Sequence, residues 1–169
     1  MVPTVSTGSA CKPRAKVVKL ESTTDQAIQL FEVKVISLGN NIAIGKIATQ
    51  STTLNTFVAS MAIDDASNTF SHTNDGSAWW QVDLGIEEEI GSVQILNRWC
   101  GNPSDKNRCL CRLSGAQLIL SDSQDLAIAT KSVGNTCGKL SLDFNFSESV
   151  ACPSGVRLKC IMCWFVMVY

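Results

Sequence analysis

The sequence has little charge and almost no excess of either sign. Charged residues make up 17% of 169, the formal net charge is −1 and the pI is near 5.8. No polycationic surface of the kind a phosphate backbone requires is available, which argues against nucleic acid as a partner. Histidine is scarcer still, with His72 standing alone. The motifs that carry hydrolytic or phosphoryl chemistry are missing: there is no Gly-x-Ser-x-Gly elbow, no Gly-rich phosphate loop and no His-Glu-x-x-His. The acidic run Glu87-Glu88-Glu89 is expected in a turn between two strands, as a solvated face. The chain is therefore expected to be a binder and not an enzyme. Long apolar runs are also absent. The tail Ile161 to Tyr169 (IMCWFVMVY) is strongly apolar but spans nine residues, about half of a membrane crossing, so no transmembrane segment is expected. Met1 to Ala10 has neither a basic nor an apolar region of the kind a signal peptide carries.

What is present is a globular composition, 45% hydrophobic, with eight cysteines. Zinc would require two closely spaced cysteine pairs or a nearby histidine. The best pair is Cys109-Leu-Cys111, and His72 is remote in sequence. Disulfides are the better account, and they imply an oxidising compartment, hence a secreted or cell-surface protein.

The hydrophobic pattern has mostly period two, the mark of half-buried strands. In Ile28 to Ile36, Phe31, Val33 and Val35 fall on one face and Glu32 and Lys34 on the other; Leu140, Leu142, Phe144 and Phe146 alternate similarly with Ser141, Asp143 and Asn145. Further strands are expected at Val17 to Glu21, Trp80 to Leu84, Val93 to Arg98, Ala116 to Ser121 and Ile128 to Val133, with one short helix-like stretch at Thr56 to Ile63. Many short strands separated by turn residues read as an all-β sandwich or barrel. Ala10 to Leu20 is echoed loosely by Ala151 to Lys159, so the opening strand could begin again at the end of the chain. This divides the chain into residues 1–36, a closing-strand segment of a preceding or permuted repeat; 37–150, the main domain; and 151–169, the start of a further repeat or a truncated tail. A parent protein with tandem repeats, or an oligomer, is expected from that division.

The central blocks NIAIGKIATQST (Asn41–Thr52), ASMAIDDASNTFSHT (Ala59–Thr73), AWWQVDLG (Ala78–Gly85), VQILNRWC (Val93–Cys100) and CRLSGAQLIL (Cys111–Leu120) resemble, in that order, the coagulation-factor type C or discoidin-like superfamily. Within it they look most like the F-type lectins, or fucolectins. The resemblance covers roughly Asn40 to Phe146, with Trp79 to Gly85 its most specific part. It implies an antiparallel jelly-roll β-sandwich, galactose-binding-like, whose loops at one end bind a glycan such as fucose or galactose. The lectins' basic triad falls here on His72, Arg98 and Arg112. The chemistry is sound in itself, since sugar oxygens accept hydrogen bonds and guanidinium offers several donors in one plane.

The chain departs from the lectin pattern after the first arginine. An acidic residue and a Cys-Cys pair usually follow it, whereas here the run is Arg98-Trp99-Cys100-Gly101 and then an inserted loop, Asn102 to Arg108. Trp99 could present an aromatic face to a sugar, Arg108 could replace Arg112, and His72 could simply bond Asp75 in a turn. The resemblance also implies a structural Ca²⁺ on the loop Asp64, Asp65, Ser67, Asn68 and Thr69, rich in the hard oxygen ligands calcium prefers, closed by a glutamate. The matching glutamate is Glu32. It precedes the loop in this chain, so it can serve only if Val17 to Ile36 folds back as a permuted edge. Cys100, Cys109, Cys111 and Cys137 would staple the inserted loop in one of three pairings. The alternative to a lectin is an adhesive module that binds protein or phospholipid through exposed apolar residues such as Trp99 or Phe57.

Overall fold

A computed structural model describes residues 12–66, 68–74, 76–102 and 106–146. Two antiparallel sheets face each other. One has the order β4-β6-β1-β8-β9, built from β1 (Arg14–Glu21), β4 (Ile47–Gln50), β6 (Trp79–Glu89), β8 (Gln117–Ser121) and β9 (Ala127–Ser132). The other has the order β10-β7-β2-β3, from β2 (Gln29–Ser37), β3 (Asn40–Asn41), β7 (Ser92–Asn97) and β10 (Ser141–Asn145), with β5 (Ser71–His72) pairing the start of β2. The fold is the expected antiparallel β-sandwich.

Alternation explains most of it. Along β7, Val93, Ile95 and Asn97 are buried while Gln94 and Leu96 face out. The core holds Val18 and Leu20 of β1, Val33 and Val35 of β2, Trp80, Val82 and Leu84 of β6, and Leu118 and Leu120 of β8. Trp80 is fully buried because its one polar atom is satisfied: Nε1–H donates to the Ala59 carbonyl at 3.0 Å.

Among the described residues before 37, β1 and β2 take interior positions in the two sheets, not edges. β1 lies between β6 and β8, and β2 lies between β7 on one side and β3 and β5 on the other. A boundary after residue 36 would cut a hydrogen-bonded strand. Both strands fit there because they are apolar on the inner face over nearly their whole length, as central strands must be.

Other expectations need correction. Glu87, Glu88 and Glu89 end β6 instead of forming a turn; Glu88 and Glu89 pair with Ala15 and Arg14, and Lys12 meets Glu89 at 3.1 Å. The long partner β1 extends the ladder beyond the point where alternation fades. Phe31 is out of phase with Val33 and Val35, because a bulge between Leu30 and Glu32 puts Leu30 in the core and turns Phe31 toward Phe70. Leu140 precedes β10 and is exposed. The helix-like stretch is a 3₁₀ turn at Ala59–Ala62, and the one α-helix among the described residues, α1 (Lys106–Cys111), lies in the inserted loop. The echo at 151–159 and the apolar tail lie outside the described residues.

Candidate functional site

At one end of the sandwich, the start of β2, the strand β5 and the end of β7 bring His72, Gln29 and Arg98 together. β5 exists because Ser71 and His72 pair with Leu30 and Gln29. His72 is buried, and its Nδ1 lies 2.5 Å from the Thr73 carbonyl; a carbonyl only accepts, so Nδ1 carries a proton. Arg98, the residue after β7, reaches back over the sheet. Its guanidinium lies 4.0 Å above the Phe70 ring, and Nη1 donates to Gln29 Oε1 and lies 3.7 Å from Cys109 Sγ. Phe70 stacks on Phe57 with centroids 4.2 Å apart and meets Phe31 edge-on at 5.9 Å. These three rings form an apolar floor beneath the guanidinium.

Arg112 follows α1, and its backbone N–H donates to the carbonyl of Cys109, whose sulfur lies beside Arg98. Burial lowers the Arg98 pKa, and the nearby Arg112 charge lowers it further. Two buried donors in this cluster, Arg98 Nε and Gln29 Nε2, have no hydrogen-bond partner. A buried amide or guanidinium N–H left unmade is costly, so a partner for these two donors is expected.

The inserted loop is held tightly. Disulfides join Cys100 to Cys109 and Cys111 to Cys137. Asn97 Nδ2 donates to the carbonyls of Leu110 at 2.9 Å and Lys139 at 3.1 Å, and Thr136 Oγ1 donates to Leu110 as well. The end of α1, and with it Arg112, is thereby fixed to the end of β7 that carries Arg98.

Trp99 points outward, 43% exposed. Phe57 does not, because its stacking on Phe70 keeps it from acting as an exposed spike. Arg108 is exposed on α1. Asp75 lies outside the described residues. Gln29 and Phe70 were not anticipated from the sequence. The one signal for Gln29 was an amide between Ile28 and Leu30, and its meaning depends on knowing that β5 pairs there.

The expected calcium loop lies against the outer face of β2. Asp64 accepts from the Thr69 hydroxyl at 2.8 and 2.9 Å and from the Ala66 N–H at 3.0 Å, while Asp65, with φ 57°, meets Lys34 Nζ at 3.1 Å. Asn68 is exposed, and Ser67 lies outside the described residues. Glu32 turns toward this loop from β2 and is only 5% exposed, with neither carboxylate oxygen hydrogen-bonded. Burial pushes its pKa up to about 7, and the Asp64 charge adds to the rise, while the Lys34 charge pulls the other way. Two buried, unpartnered carboxylate oxygens beside a second carboxylate fit a hard cation. Among the described residues no three His, Cys, Asp or Glu side chains converge as a metal site, so loop carbonyls and hydroxyls would have to complete the oxygen set. A cavity of about 260 Å³, lined by Glu32, Lys34, Asp65, Gln94, Leu96 and Ser141 among others, opens here.

Residues 61–152, just over half of the chain, match the family model described as a NedA-like, galactose-binding domain. No curated protein and no solved structure matches the chain. The matched span includes the loop from Asp64 to Thr69, β5 to β10 and both arginines, and the two-sheet architecture agrees with it. The chain therefore belongs to the galactose-binding-like, discoidin-like domains of the NedA-like family.

Proposed function

We propose that this domain binds carbohydrate, without catalysis, at the loop end where His72, Gln29, Arg98 and Arg112 gather. The observation that carries this is the pair of unpartnered buried donors, Arg98 Nε and Gln29 Nε2, beside a histidine and above an aromatic floor. Sugar hydroxyl and ring oxygens supply the acceptors these groups lack, and guanidinium presents its donors in one plane. The disulfides and the Asn97 bonds hold the donors in place before binding, which reduces the ordering cost. Fucose or galactose is the expected monosaccharide class, from the F-type-lectin-like triad and the family.

Calcium serves as a structural ion in this reading, held by Glu32 and Asp64 with oxygens of the loop Asp65 to Thr69. It would neutralise two carboxylates that otherwise repel each other and would tie the loop to β2. The disulfides favour an extracellular setting, and no helix among the described residues is long and apolar enough to cross a membrane. Single-site lectin affinities are modest, so a tandem or oligomeric parent would supply avidity.

The test is a glycan array probed with the oxidised domain, with and without calcium, alongside Arg98→Ala. Binding to fucose or galactose glycans that is lost in a folded Arg98→Ala protein is the expected result. A folded wild type that binds no glycan would sink the proposal. The second reading, an adhesive module for protein or phospholipid, is favoured by exposed Trp99. It predicts vesicle binding that Trp99→Ala abolishes and Arg98→Ala spares.

A further inference from the structure

We propose that Asn145 is a modification site, the acceptor of an N-linked oligosaccharide. This rests on the extracellular setting inferred above and concerns the end of the sandwich away from the arginines.

Asn145-Phe146-Ser147 is the one place in the sequence where an asparagine is followed, two residues on, by serine or threonine with no proline between. Asn102-Pro103-Ser104 has the outer residues of that pattern, but its proline disqualifies it. Asn107 and Asn135 have cysteine in the third place, and those cysteines, Cys109 and Cys137, are tied in disulfides.

A three-residue pattern also arises by chance, so its placement decides what it can do. Asn145 is the last residue of β10, which pairs with β7. Successive strand residues face opposite sides of a sheet. Phe144 packs against the core, and Phe146 is fully buried, with its backbone N–H donating to the Gly91 carbonyl at 2.9 Å. Both neighbours point inward, so Asn145 is turned to the outer face, where it is exposed together with Ser141 and Asp143. An oligosaccharide attached there extends into solvent and displaces no core side chain. Asn145 lies opposite Ser92, the first residue of β7, whereas Arg98 follows the last; six strand residues separate those two ends by about 20 Å. The attached oligosaccharide therefore leaves the loop end open.

The disulfides supply an independent link, because they place the folding chain in an oxidising compartment, where oligosaccharide transfer also takes place. In that transfer Asn145 Nδ2 bonds to the anomeric carbon of a polyprenyl-diphosphate oligosaccharide. The carbon–oxygen bond to the diphosphate breaks, the diphosphate leaves with the electron pair, and the amide gives up one proton.

The experiment is to secrete the full chain from cultured eukaryotic cells and to measure its mass before and after peptide N-glycosidase, with the disulfides mapped on the same sample. The expected result is a fall in mass on treatment, with an aspartate found at position 145, since the enzyme hydrolyses the modified side-chain amide. The fall should vanish in Asn145→Gln and in Ser147→Ala, which keeps the acceptor, and should persist in Ser147→Thr, which keeps the hydroxyl. Secreted protein with both disulfides formed and Asn145 unmodified overturns this inference and leaves the extracellular setting standing. A fall in mass that survives Asn145→Gln overturns the assignment to this residue. A chain that stays inside the cells with free thiols removes both.

Discussion

Glu32→Gln should raise thermal stability at high pH without calcium and lose that advantage in calcium. In the metal-free protein the Glu32 carboxyl is 5% exposed, lacks a hydrogen-bond partner, and has its pKa raised from 4.5 to about 7. Asp64 and Asp65 add negative charge nearby, and Lys34 is the one cation that opposes them. A carboxyl whose folded pKa exceeds its unfolded value favours the fold when protonated. Its contribution is therefore intact below about pH 4.5 and is lost as the pH rises through 7. Fully ionised, it costs the fold about 3 kcal/mol. Glutamine keeps the shape and carries no charge, so without metal at about pH 8 the variant should melt roughly 10 °C above wild type, with little difference near pH 5. Calcium closes that gap. At a few hundred times its Kd, the ion stabilises wild type by about 3–4 kcal/mol, enough to offset the cost of the ionised carboxylate, whereas the glutamine variant loses an anionic ligand and gains far less. The assay is differential scanning calorimetry of both proteins at pH 5 and 8, in chelator and in calcium. A glutamine variant less stable than wild type in chelator at pH 8 would refute the burial argument. Equal calcium stabilisation of both proteins would refute Glu32 as a ligand.

Phe70→Ala removes the ring beneath the Arg98 guanidinium, worth about 0.5–2 kcal/mol as a cation–π contact; glycan affinity measured by calorimetry should fall about three- to thirtyfold through lost positioning of Arg98. Replacing Cys111 and Cys137 together by serine opens a link across 26 residues, expected to destabilise by about 3 kcal/mol. Chemical denaturation should show that loss, and the folded variant should bind glycan more weakly because Arg112 is no longer fixed. Unchanged affinity in that variant would show that the staple does not position the arginine.

The sequence alone determined the fold class and singled out most residues of the candidate site. Alternation in Val93 to Asn97 and in the even-numbered residues from Trp80 to Leu84 was enough to place strands, because a half-buried sheet imposes period two whatever its neighbours are. The family resemblance was carried by local runs, Trp79 to Gly85 above all, and it selected His72, Arg98 and Arg112 as a set. What only the tertiary structure decided is what depends on partners distant in sequence. That β1 and β2 are interior strands follows from pairing with β6, β8 and β7, some 60 to 100 residues later, and no local pattern encodes such distances. The same long-range pairing set Gln29 opposite His72 and under Arg98. The bulge at Leu30 to Glu32 turned Phe31 toward the aromatic floor and Glu32 toward Asp64. Of three possible cysteine pairings one was chosen, because a disulfide requires Cα atoms a few ångströms apart, and that proximity is a property of the folded chain.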